Sequence, residues 1–577
     1  MDSYTRRNFL RRGMESATGL SLLASGTGTA RNVSAGALVP GLGAAVQAAA
    51  PPVNIVITAT PVREGFGGVG FHTEMFLDVS TPDFFQQVLA KRWRELHPRF
   101  ARQFHRWMPG HPGERDVQAL DAMARQLVFM KEAAGTEIYI TTGDLKDTRD
   151  EEEQREYARA VVDDLEYLLN RGATNVKYYC CTNELSLHEW GDMHTDLPRY
   201  QTYQQSIHAE IERRGVPIKM LATDASPVEY WPSLEWAAQH MDDVTGIYGG
   251  HHYLNAHEPG NLDFYSWFKG RCAWAVELAR AKGKDFILGE FGPAQYQELK
   301  YGIRWDTCKY FGTPLEGLAG LQLAEAALAA INAGVYAMSY WTFTDYPDEK
   351  GESWINQWGV FKWLTNDGVP RAPYYSFGLL TKFFRGPATV YQAKAQDEKL
   401  RATAVQHDVD KTWSIAVINR DTRDVPVKIQ LPAASPPAAF RKYLYDARQV
   451  PVTEDGDLQG PSAKLELRDG TLADTLGAGT LAVYTTAYRD TPPAEVRGLE
   501  VTRIHDTRVP GLSASASRLR WTPNAEPDLC YYRVYHHGVR VGSTIATEFI
   551  DAGPGNGRTE GYSIVAVDQS GNASSPS

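Results

Sequence analysis

The chain has 577 residues and a formal net charge of -11 at pH 7, from 70 acidic and 59 basic side chains. This length exceeds one ordinary core and predicts two or three domains, one with room for a barrel of about 250 to 350 residues. Because no basic run occurs beyond the first dozen residues, neither nucleic acid nor an anionic membrane is expected as a partner. We expect a neutral or weakly charged substrate.

The first fifty residues have the features of an export signal. Thr5–Leu10 contains the pair Arg6-Arg7, and small or apolar residues follow as far as Ala48–Ala50, directly before Pro51. This pattern predicts a twin-arginine signal over residues 1–50, with a basic disordered tail as the alternative. No later segment is long and apolar enough to predict a membrane span, so we expect a periplasmic or extracellular protein.

The cysteines predict neither a disulfide scaffold nor a zinc site. They are odd in number and lack metal-ligand spacing; the five are Cys180, Cys181, Cys272, Cys308 and Cys530. We therefore expect no metal and no cofactor.

Short β-rich apolar runs then alternate with longer helical stretches, the pattern of parallel βα units. Eight strands are predicted, at Phe66–His72, Phe100–His105, Glu137–Thr142, Val176–Thr182, Ile218–Thr223, Val244–Tyr253, Phe286–Glu290 and Tyr336–Thr342. Helices between them include Val117–Ala133, Glu153–Asn170, Leu197–Arg213, Tyr265–Ala281 and Leu318–Ala333. Eight such units predict an α/β fold, a (β/α)8 TIM barrel over residues 51–385.

A doubly wound open sheet is the alternative fold. The segment Gly65–Gly70 is rich in glycine, as a nucleotide-binding turn would be, but no helix with a ribose-binding acid follows it at the required distance. We interpret this segment as a tight loop of the barrel.

The pattern changes after a helix near Tyr374–Phe384. From residue 386 to 488 short alternating runs separated by Pro, Gly and Asp predict a β-sandwich, to which Val53–Ala59 can add a strand. The joint at Thr491–Pro493 leads into a third module over residues 489–577. Its Trp521 and its final run, Ala566–Asn572, resemble a fibronectin type III module.

Two glutamates follow predicted strands directly. The fourth strand continues into Asn183 and Glu184, and the seventh strand ends at Glu290. Catalytic groups of barrel enzymes lie at the carboxyl ends of strands, so both acids are expected on one face. Retaining hydrolysis of a glycoside needs two carboxyl groups about 5 to 5.5 Å apart, one to protonate the leaving oxygen and one to attack the anomeric carbon. A solvated loop carboxylate is the alternative for either glutamate alone.

This arrangement resembles clan A of the glycoside hydrolases, with an Asn-Glu pair after strand four and a Glu after strand seven. The resemblance implies that Glu184 is the general acid/base, that Glu290 is the nucleophile, and that Asn183 binds the hydroxyl next to the anomeric carbon. For these roles Glu184 must hold a proton near neutral pH, which requires a raised pKa. Glu290 must stay ionised and needs hydrogen-bond donors around it.

Further residues on this face are candidates for contacting the sugar. The resemblance implies a floor of the first subsite at Trp341 and a His-x-Tyr group at His251 and Tyr253. Arg102, at the end of strand two, is a candidate donor to Glu290, with a structural ion pair as the alternative. Loop positions on the same face add the candidates His72, His105 and His188.

The joint between barrel and sandwich, Asn366–Gly386, resembles that of glycoside hydrolase family 39 and, more distantly, families 51 and 30. Leu185 stands where the family usually has proline. The resemblance implies a retaining enzyme that cleaves O-glycosidic bonds of a plant or microbial oligo- or polysaccharide through a covalent glycosyl-enzyme intermediate. A xylosidase, an arabinofuranosidase or a related exo-glycosidase is the expected activity.

Two other functions are compatible with a barrel. One is a non-catalytic carbohydrate-binding protein, although such a protein would usually have lost one of the two acids. The other is a metal-dependent hydrolase that uses His251, His252 and His72, but strand one carries no His-x-His pair and no acid completes a ligand set.

Overall fold

The structure is a computed structural model. It describes residues 51–73, 82–105, 116–142, 148, 150–185, 196–254, 261–293, 295–300, 303–308, 310–347, 354–362, 368–432, 439–506, 514–552 and 558–577. The proposed signal, residues 1–50, and His188 therefore lie outside the described residues.

Eight parallel strands close into a barrel. The first ten strands of the chain are β1 Val53–His72, β2 Phe100–Phe104, β3 Glu137–Thr141, β4 Val176–Cys180, β5 Lys219–Ala225, β6 Ile247–Tyr253, β7 Phe286–Gly292, β8 Gln295–Lys300, β9 Ile303–Cys308 and β10 Ala337–Tyr340. The strands β1 to β7 pair in sequence order, and β10 pairs with both β7 and β1. This closure confirms the predicted TIM barrel and is incompatible with an open doubly wound sheet.

Helices surround the barrel. They are α1 Pro82–Phe84, α2 Ala90–Leu96, α3 Val117–Ala134, α4 Glu151–Asn170, α5 Leu197–Arg214, α6 Pro232–His240, α7 Phe264–Ala281, α8 Glu316–Ala333 and α9 Ala372–Phe383. The five helices predicted from sequence are among them. A π-helical turn, Phe85–Leu89, joins α1 to α2.

Aspartates and glycines mark the ends of several helices. Asp116 and Asp150 accept hydrogen bonds from backbone N–H groups in the first turns of α3 and α4. Such caps satisfy donors that have no partner inside the helix. Gly135 ends α3 and Gly334 ends α8, both in the left-handed conformation that glycine adopts without steric cost. These glycines end α3 and α8 shortly before the strands that follow them.

The interpretation of Gly65–Gly70 as a loop is wrong, because this segment lies inside β1. The register between β1 and β13 (Arg385–Ala395) shifts four times, so the strand is bulged here. A Cβ atom on Gly70 would lie 1.6 Å from the carbonyl oxygen of Phe100 on the neighbouring strand. Glycine is needed at this position because the two backbones approach closely.

A β-sandwich region follows the barrel. The remaining strands are β11 Tyr346–Pro347, β12 Trp354–Gln357, β13, β14 Leu400–His407, β15 Trp413–Asn419, β16 Val425–Gln430, β17 Ala439–Asp446, β18 Ala463–Glu466, β19 Thr471–Leu476, β20 Thr480–Thr485, β21 Glu500–Asp506, β22 Ala514–Arg520, β23 Leu529–His536, β24 Val539–Thr544, β25 Glu548–Asp551 and β26 Tyr562–Asp568. Strands β11, β12, β9 and β8 form a separate sheet from the segments after β7 and β10.

The first strand joins the two regions. The amino-terminal part of β1 pairs with the sandwich strands β13 and β16, and its carboxyl-terminal part pairs with β2 and β10 of the barrel. Ile55 and Ile57 of β1 are accordingly buried in the sandwich core. Barrel and sandwich thus share a continuous main-chain hydrogen-bonded sheet.

The last six strands form two three-stranded antiparallel sheets, β21-β22-β25 and β24-β23-β26. Trp521 and Tyr532 lie in the core between them. A buried ion pair between Lys91 of α2 and Asp457 joins the barrel to the sandwich region, and the Tyr531 hydroxyl of the C-terminal region donates a 2.8 Å hydrogen bond to the same carboxylate.

Among the helices of the described ranges, none is long and apolar enough to cross a membrane.

Candidate active site

Glu184 and Glu290 meet at the carboxyl end of the barrel. Glu184 lies four residues beyond the end of β4, and Glu290 lies near the end of β7. Both are buried, with 8% and 4% of their surface exposed. One side-chain oxygen of each glutamate and one ring nitrogen of His251 all lie within 4.8 Å of one another. Two acids from distant parts of the chain thus form a close pair with a small solvent-exposed area.

Two donors bind the Glu290 carboxylate. Arg102 Nη1 donates to Oε2 at 2.8 Å, and the Tyr253 hydroxyl donates to Oε1. Burial nevertheless raises the pKa of Glu290 above its ordinary value, and the negative charge of Glu184 acts in the same direction. His251, Arg102 and Tyr253 oppose this rise. The raised pKa of Glu290, the more deeply buried of the two acids, is not predicted by the sequence.

Arg102 is the centre of a buried hydrogen-bond network. Besides its bond to Glu290, Arg102 donates from Nε to the Tyr139 hydroxyl at 2.7 Å, and its Nη1 lies 3.2 Å from His72 Nδ1. Its Nη2 donates to Asn183 Oδ1 and, at 3.2 Å, to Asp224 Oδ2. The side chain is fully buried, so Arg102 positions Glu290 and Asn183 from beneath the site.

His251 lies between three carboxylates. Its Nδ1 is 3.3 Å from Glu184 Oε1 and 3.6 Å from Glu290 Oε2, while its Nε2 is 2.7 Å from Asp224 Oδ1. Burial alone would lower the pKa of His251, but the charges of Asp224 and Glu290 outweigh it and raise this pKa to about 9. The ring is therefore a buried cation near neutral pH.

Asp224 forms ion pairs with both cations of the site, Arg102 and His251. It lies at the end of β5, is fully buried, and accepts a 2.6 Å hydrogen bond from the Tyr139 hydroxyl. Burial alone would raise the pKa of Asp224, but His251 and Arg102 overcome this effect and lower it to about 2. Asp224 stays ionised and fixes His251 and Arg102 relative to the two glutamates.

The backbone at two of these acids lies in the left-handed region, with φ of 50° at Glu184 and 59° at Asp224. This region costs a residue with a Cβ atom about 1 to 2 kcal/mol. Such strain is typical of functional sites, where the surrounding contacts hold a side chain in a required direction.

Aromatic side chains border the glutamate pair. Tyr253 and Trp341 are half-buried and pack with Trp358 and Tyr310 in one cluster. The ring of Trp341 also lies 4.2 Å from that of His72, centroid to centroid. Flat faces of this kind suit sugar rings.

The predicted site residues fall into two groups, those partly exposed to solvent and those fully buried. Glu184, Glu290, Asn183, Tyr253 and Trp341 retain some exposed surface. The side chains of Arg102, His251 and His72 are fully buried, so they support the site without forming its surface.

The structure directs His105 toward helix α4. Its Nε2 is 3.0 Å from Asp164 Oδ2, and its Nδ1 is 3.3 Å from Thr142 Oγ1. Its side chain is inaccessible to solvent, so it holds α4 against the barrel and does not line an open pocket.

Asp224 and Tyr139 are not among the site residues predicted from the sequence. A signal existed for Asp224, because it is a carboxylate at the end of the fifth predicted strand, the same position that identified the two glutamates. Tyr139 lies within an apolar strand, where a tyrosine reads as an ordinary core residue.

A cation is one possible ligand of this site, because Glu184, His251 and Glu290 offer three donor atoms close together. A metal would have to displace the proton of His251, whose pKa is raised to about 9, and would lie near the Arg102 guanidinium. Two cationic side chains, Arg102 and His251, already compensate most of the negative charge of the three carboxylates. The residues therefore fit proton transfer better than metal binding.

No protein-family model matches the chain, and no curated protein does. Solved structures do match it in fold. A bacterial orthologue of human α-L-iduronidase superimposes with a TM-score of 0.57 at 14% identity, covering 90% of this chain and 98% of the other. The barrel and sandwich end at residue 488, and residues 1–488 make up less than 90% of the chain. A match over 90% of the chain therefore includes part of the C-terminal region.

Two further solved structures share the fold. The GH51 α-L-arabinofuranosidase of Thermotoga petrophila gives a TM-score of 0.54 at 13% identity, covering 75% of this chain and 100% of the other. A glycoside hydrolase family 30 xylanase of Clostridium acetobutylicum gives 0.51 at 13% identity, covering 75% and 99%. At such identities the likeness establishes the barrel with its β-sandwich.

Proposed function

We propose that the protein is a retaining glycoside hydrolase, with Glu290 as nucleophile and Glu184 as general acid/base. The observation that carries this proposal is the pair of buried carboxyl groups at the ends of β4 and β7, with oxygens within 4.8 Å of each other. Retaining enzymes have carboxyl groups about 5 to 5.5 Å apart, whereas inverting enzymes need about 6.5 to 9.5 Å to admit a water molecule. The observed spacing supports the retaining mechanism.

In the first step a Glu290 oxygen forms a bond to the anomeric carbon while the glycosidic bond breaks. The Glu184 carboxyl group gives its proton to the leaving oxygen. In the second step Glu184, now ionised, takes a proton from water, and the water oxygen displaces Glu290. Arg102 and Tyr253 donate to the ionised form of Glu290, which orients the attacking oxygen.

His251 serves both steps. The negative charge of the pair moves from Glu290 to Glu184 when the glycosyl-enzyme forms. His251 Nδ1 lies 3.6 Å from one acid and 3.3 Å from the other, so the same cation neutralises the charge before and after the transfer. Asp224 keeps this ring charged and fixed.

The substrate we propose is an oligo- or polysaccharide of plant or microbial origin. The activity is that of a xylosidase, an arabinofuranosidase or a related exo-glycosidase built like family 39. Likeness in fold to an iduronidase orthologue and to an arabinofuranosidase supports this choice. Asn183, held by Arg102, would bind the hydroxyl beside the anomeric carbon. We further propose export through the twin-arginine pathway and a fibronectin type III-like C-terminal module.

A screen of aryl glycosides with wild type, Glu184→Ala and Glu290→Ala tests the proposal. Both variants should lose at least about 10³-fold in activity, or about 4 kcal/mol of transition-state stabilisation. Glu466→Ala, which removes an exposed carboxylate from β18, is the matched control and should remain fully active. Azide should rescue Glu290→Ala and form a glycosyl azide of inverted configuration.

Other outcomes would favour the alternative functions. Retention of near wild-type activity by either glutamate variant would overturn the proposed mechanism. Saccharide binding without turnover on any glycoside would support a non-catalytic carbohydrate-binding barrel. Loss of wild-type activity with a chelator, restored by a divalent cation, would support a metal-dependent hydrolase.

A further inference from the structure

A second concave site lies far from the glutamate pair. It is a cleft of about 270 Å³ where barrel, sandwich and C-terminal region meet. His97, just before β2, belongs to its lining, so the cleft is at the amino-terminal end of the barrel strands. The glutamates are at the opposite end, separated by the length of the strands. The proposed hydrolysis makes no use of this cleft.

Basic side chains dominate the barrel side of the cleft. Lys382 and Arg385 lie at the end of α9 and the start of β13, and within the described part of the chain neither forms an ion pair within 4.0 Å. Arg489 also lines the cleft but is 3.3 Å from Asp528. The second acidic residue of the lining, Asp410, accepts hydrogen bonds from the backbone N–H and the hydroxyl of Thr412.

Two buried nitrogen atoms of the lining have no hydrogen-bond partner among the residues that the structure describes. They are Nε of Arg385 and Nδ1 of His97. An unsatisfied buried donor costs about 1 to 3 kcal/mol, so such groups in a cleft call for an acceptor. Burial lowers the pKa of His97 to about 3, and the positive charges of Arg385, Arg99 and Lys382 act in the same direction. The ring is thus neutral and can donate one hydrogen bond beside two cations.

We propose that this cleft binds a small oxyanion through Arg385, Lys382 and His97. The ligand is a phosphate, sulfate or carboxylate group, either as a free ion or as the acidic substituent of a saccharide. Ser570, from the C-terminal region, lines the same cleft, and its hydroxyl accepts a 2.8 Å hydrogen bond from the backbone N–H of Arg489. A bound anion therefore links the three regions of the chain, and it stabilises the folded protein by mass action.

Calorimetric titration of the full chain with sodium sulfate or phosphate tests this proposal, with sodium chloride at equal ionic strength as the reference. We expect saturable binding of one ion per chain and a rise in Tm that chloride does not produce. Arg385→Gln and Lys382→Gln should each weaken binding at least tenfold. Lys428→Gln, an exposed lysine of β16, is the matched control and should bind as wild type does.

A second arm distinguishes the sources of the anion. Glucuronate and glucose are titrated in a buffer free of phosphate and sulfate. Tighter binding of glucuronate than of sulfate, with no binding of glucose, identifies an acidic saccharide, whereas the reverse order identifies a free ion. Equal responses of wild type, Lys382→Gln and Arg385→Gln would overturn the proposal. Glu290→Ala should bind as wild type does, so the result is independent of the hydrolase proposal.

Discussion

Two buried ionic clusters of this molecule have opposite character. The catalytic cluster is Arg102, Asp224, His251, Glu184 and Glu290; the junction cluster is Lys91, Asp457, Tyr531, Arg533 and Arg540. In the junction cluster burial alone would raise the pKa of Asp457, but the Lys91 charge and two hydrogen bonds hold it below its ordinary value. In the catalytic cluster the pKa of Glu290 is raised instead, despite two donors.

The difference shows that the pKa of a buried carboxyl group depends on how many cations lie beside it. Asp457 faces Lys91, Arg533 and Arg540, so its charge is fully compensated. Three carboxylates share only two cations in the catalytic cluster, and one carboxylate remains easy to protonate. A compensated cluster keeps its carboxylate ionised at a junction, whereas an acid-rich cluster contains a buried carboxyl group that can change its charge near neutral pH.

The largest expected effect is that of Glu290→Gln. Activity should fall at least about 10³-fold, because the nucleophile is lost. Stability should stay equal or rise, since a buried acid with a raised pKa opposes folding at neutral pH and the neutral amide removes that cost. Turnover of aryl glycosides and urea unfolding at pH 7 measure the two effects. A marked loss of stability would contradict the description of the catalytic cluster as acid-rich.

Asp457→Asn should have the opposite effects, a loss of stability with no loss of activity. Removing one partner of a buried ion pair costs about 3 kcal/mol of unfolding free energy, while activity at a temperature well below Tm should be unchanged. Asp457 has a lowered pKa when folded, so its contribution is present above the unfolded pKa near 4 and is lost as the pH falls through the folded value. Asp490→Asn, at an exposed ion pair, is the control and should change stability by less than about 0.5 kcal/mol.

Asp224→Asn should lower kcat by about 10- to 100-fold, since it frees His251 and Arg102 beneath the glutamates. KM should change little, because Asp224 is fully buried and does not touch a substrate. Steady-state kinetics separates the two constants. Asp242→Asn, just before the start of β6 and far from the glutamates, is the control. An equal fall in kcat for this variant, or a change in KM alone for Asp224→Asn, would argue against a positioning role.

The smallest effect is expected from Tyr253→Phe, read from the pH profile. The acid limb of kcat/KM in wild type should lie above pH 4.5, since only ionised Glu290 attacks and burial raises its pKa. The Tyr253 hydroxyl favours the ionised form, so its removal should move the limb upward by about 1 pH unit or less. A downward shift would show that Tyr253 binds the protonated form.

Periodicity was sufficient to predict the barrel strands, because short apolar runs between amphipathic helices have few other interpretations. The two glutamates were found by the same reasoning, from their place directly after strands. The links between Arg102, Asn183 and Asp224 depend on side-chain directions in a closed barrel, and no local pattern contains them. Lys91 and Asp457 are 366 residues apart, so their pairing follows only from the packing of three regions.

The course of β1 has a consequence for the order of assembly. This strand leaves the ribosome first among the elements described, yet Ile55 pairs with Ala395 and with Ile429. Contacts of such sequence separation slow folding, because a long loop must close before they form. A chain truncated before residue 425 lacks the strand on one side of residues 53–56, so a nascent barrel exposes an apolar edge until the sandwich strands emerge.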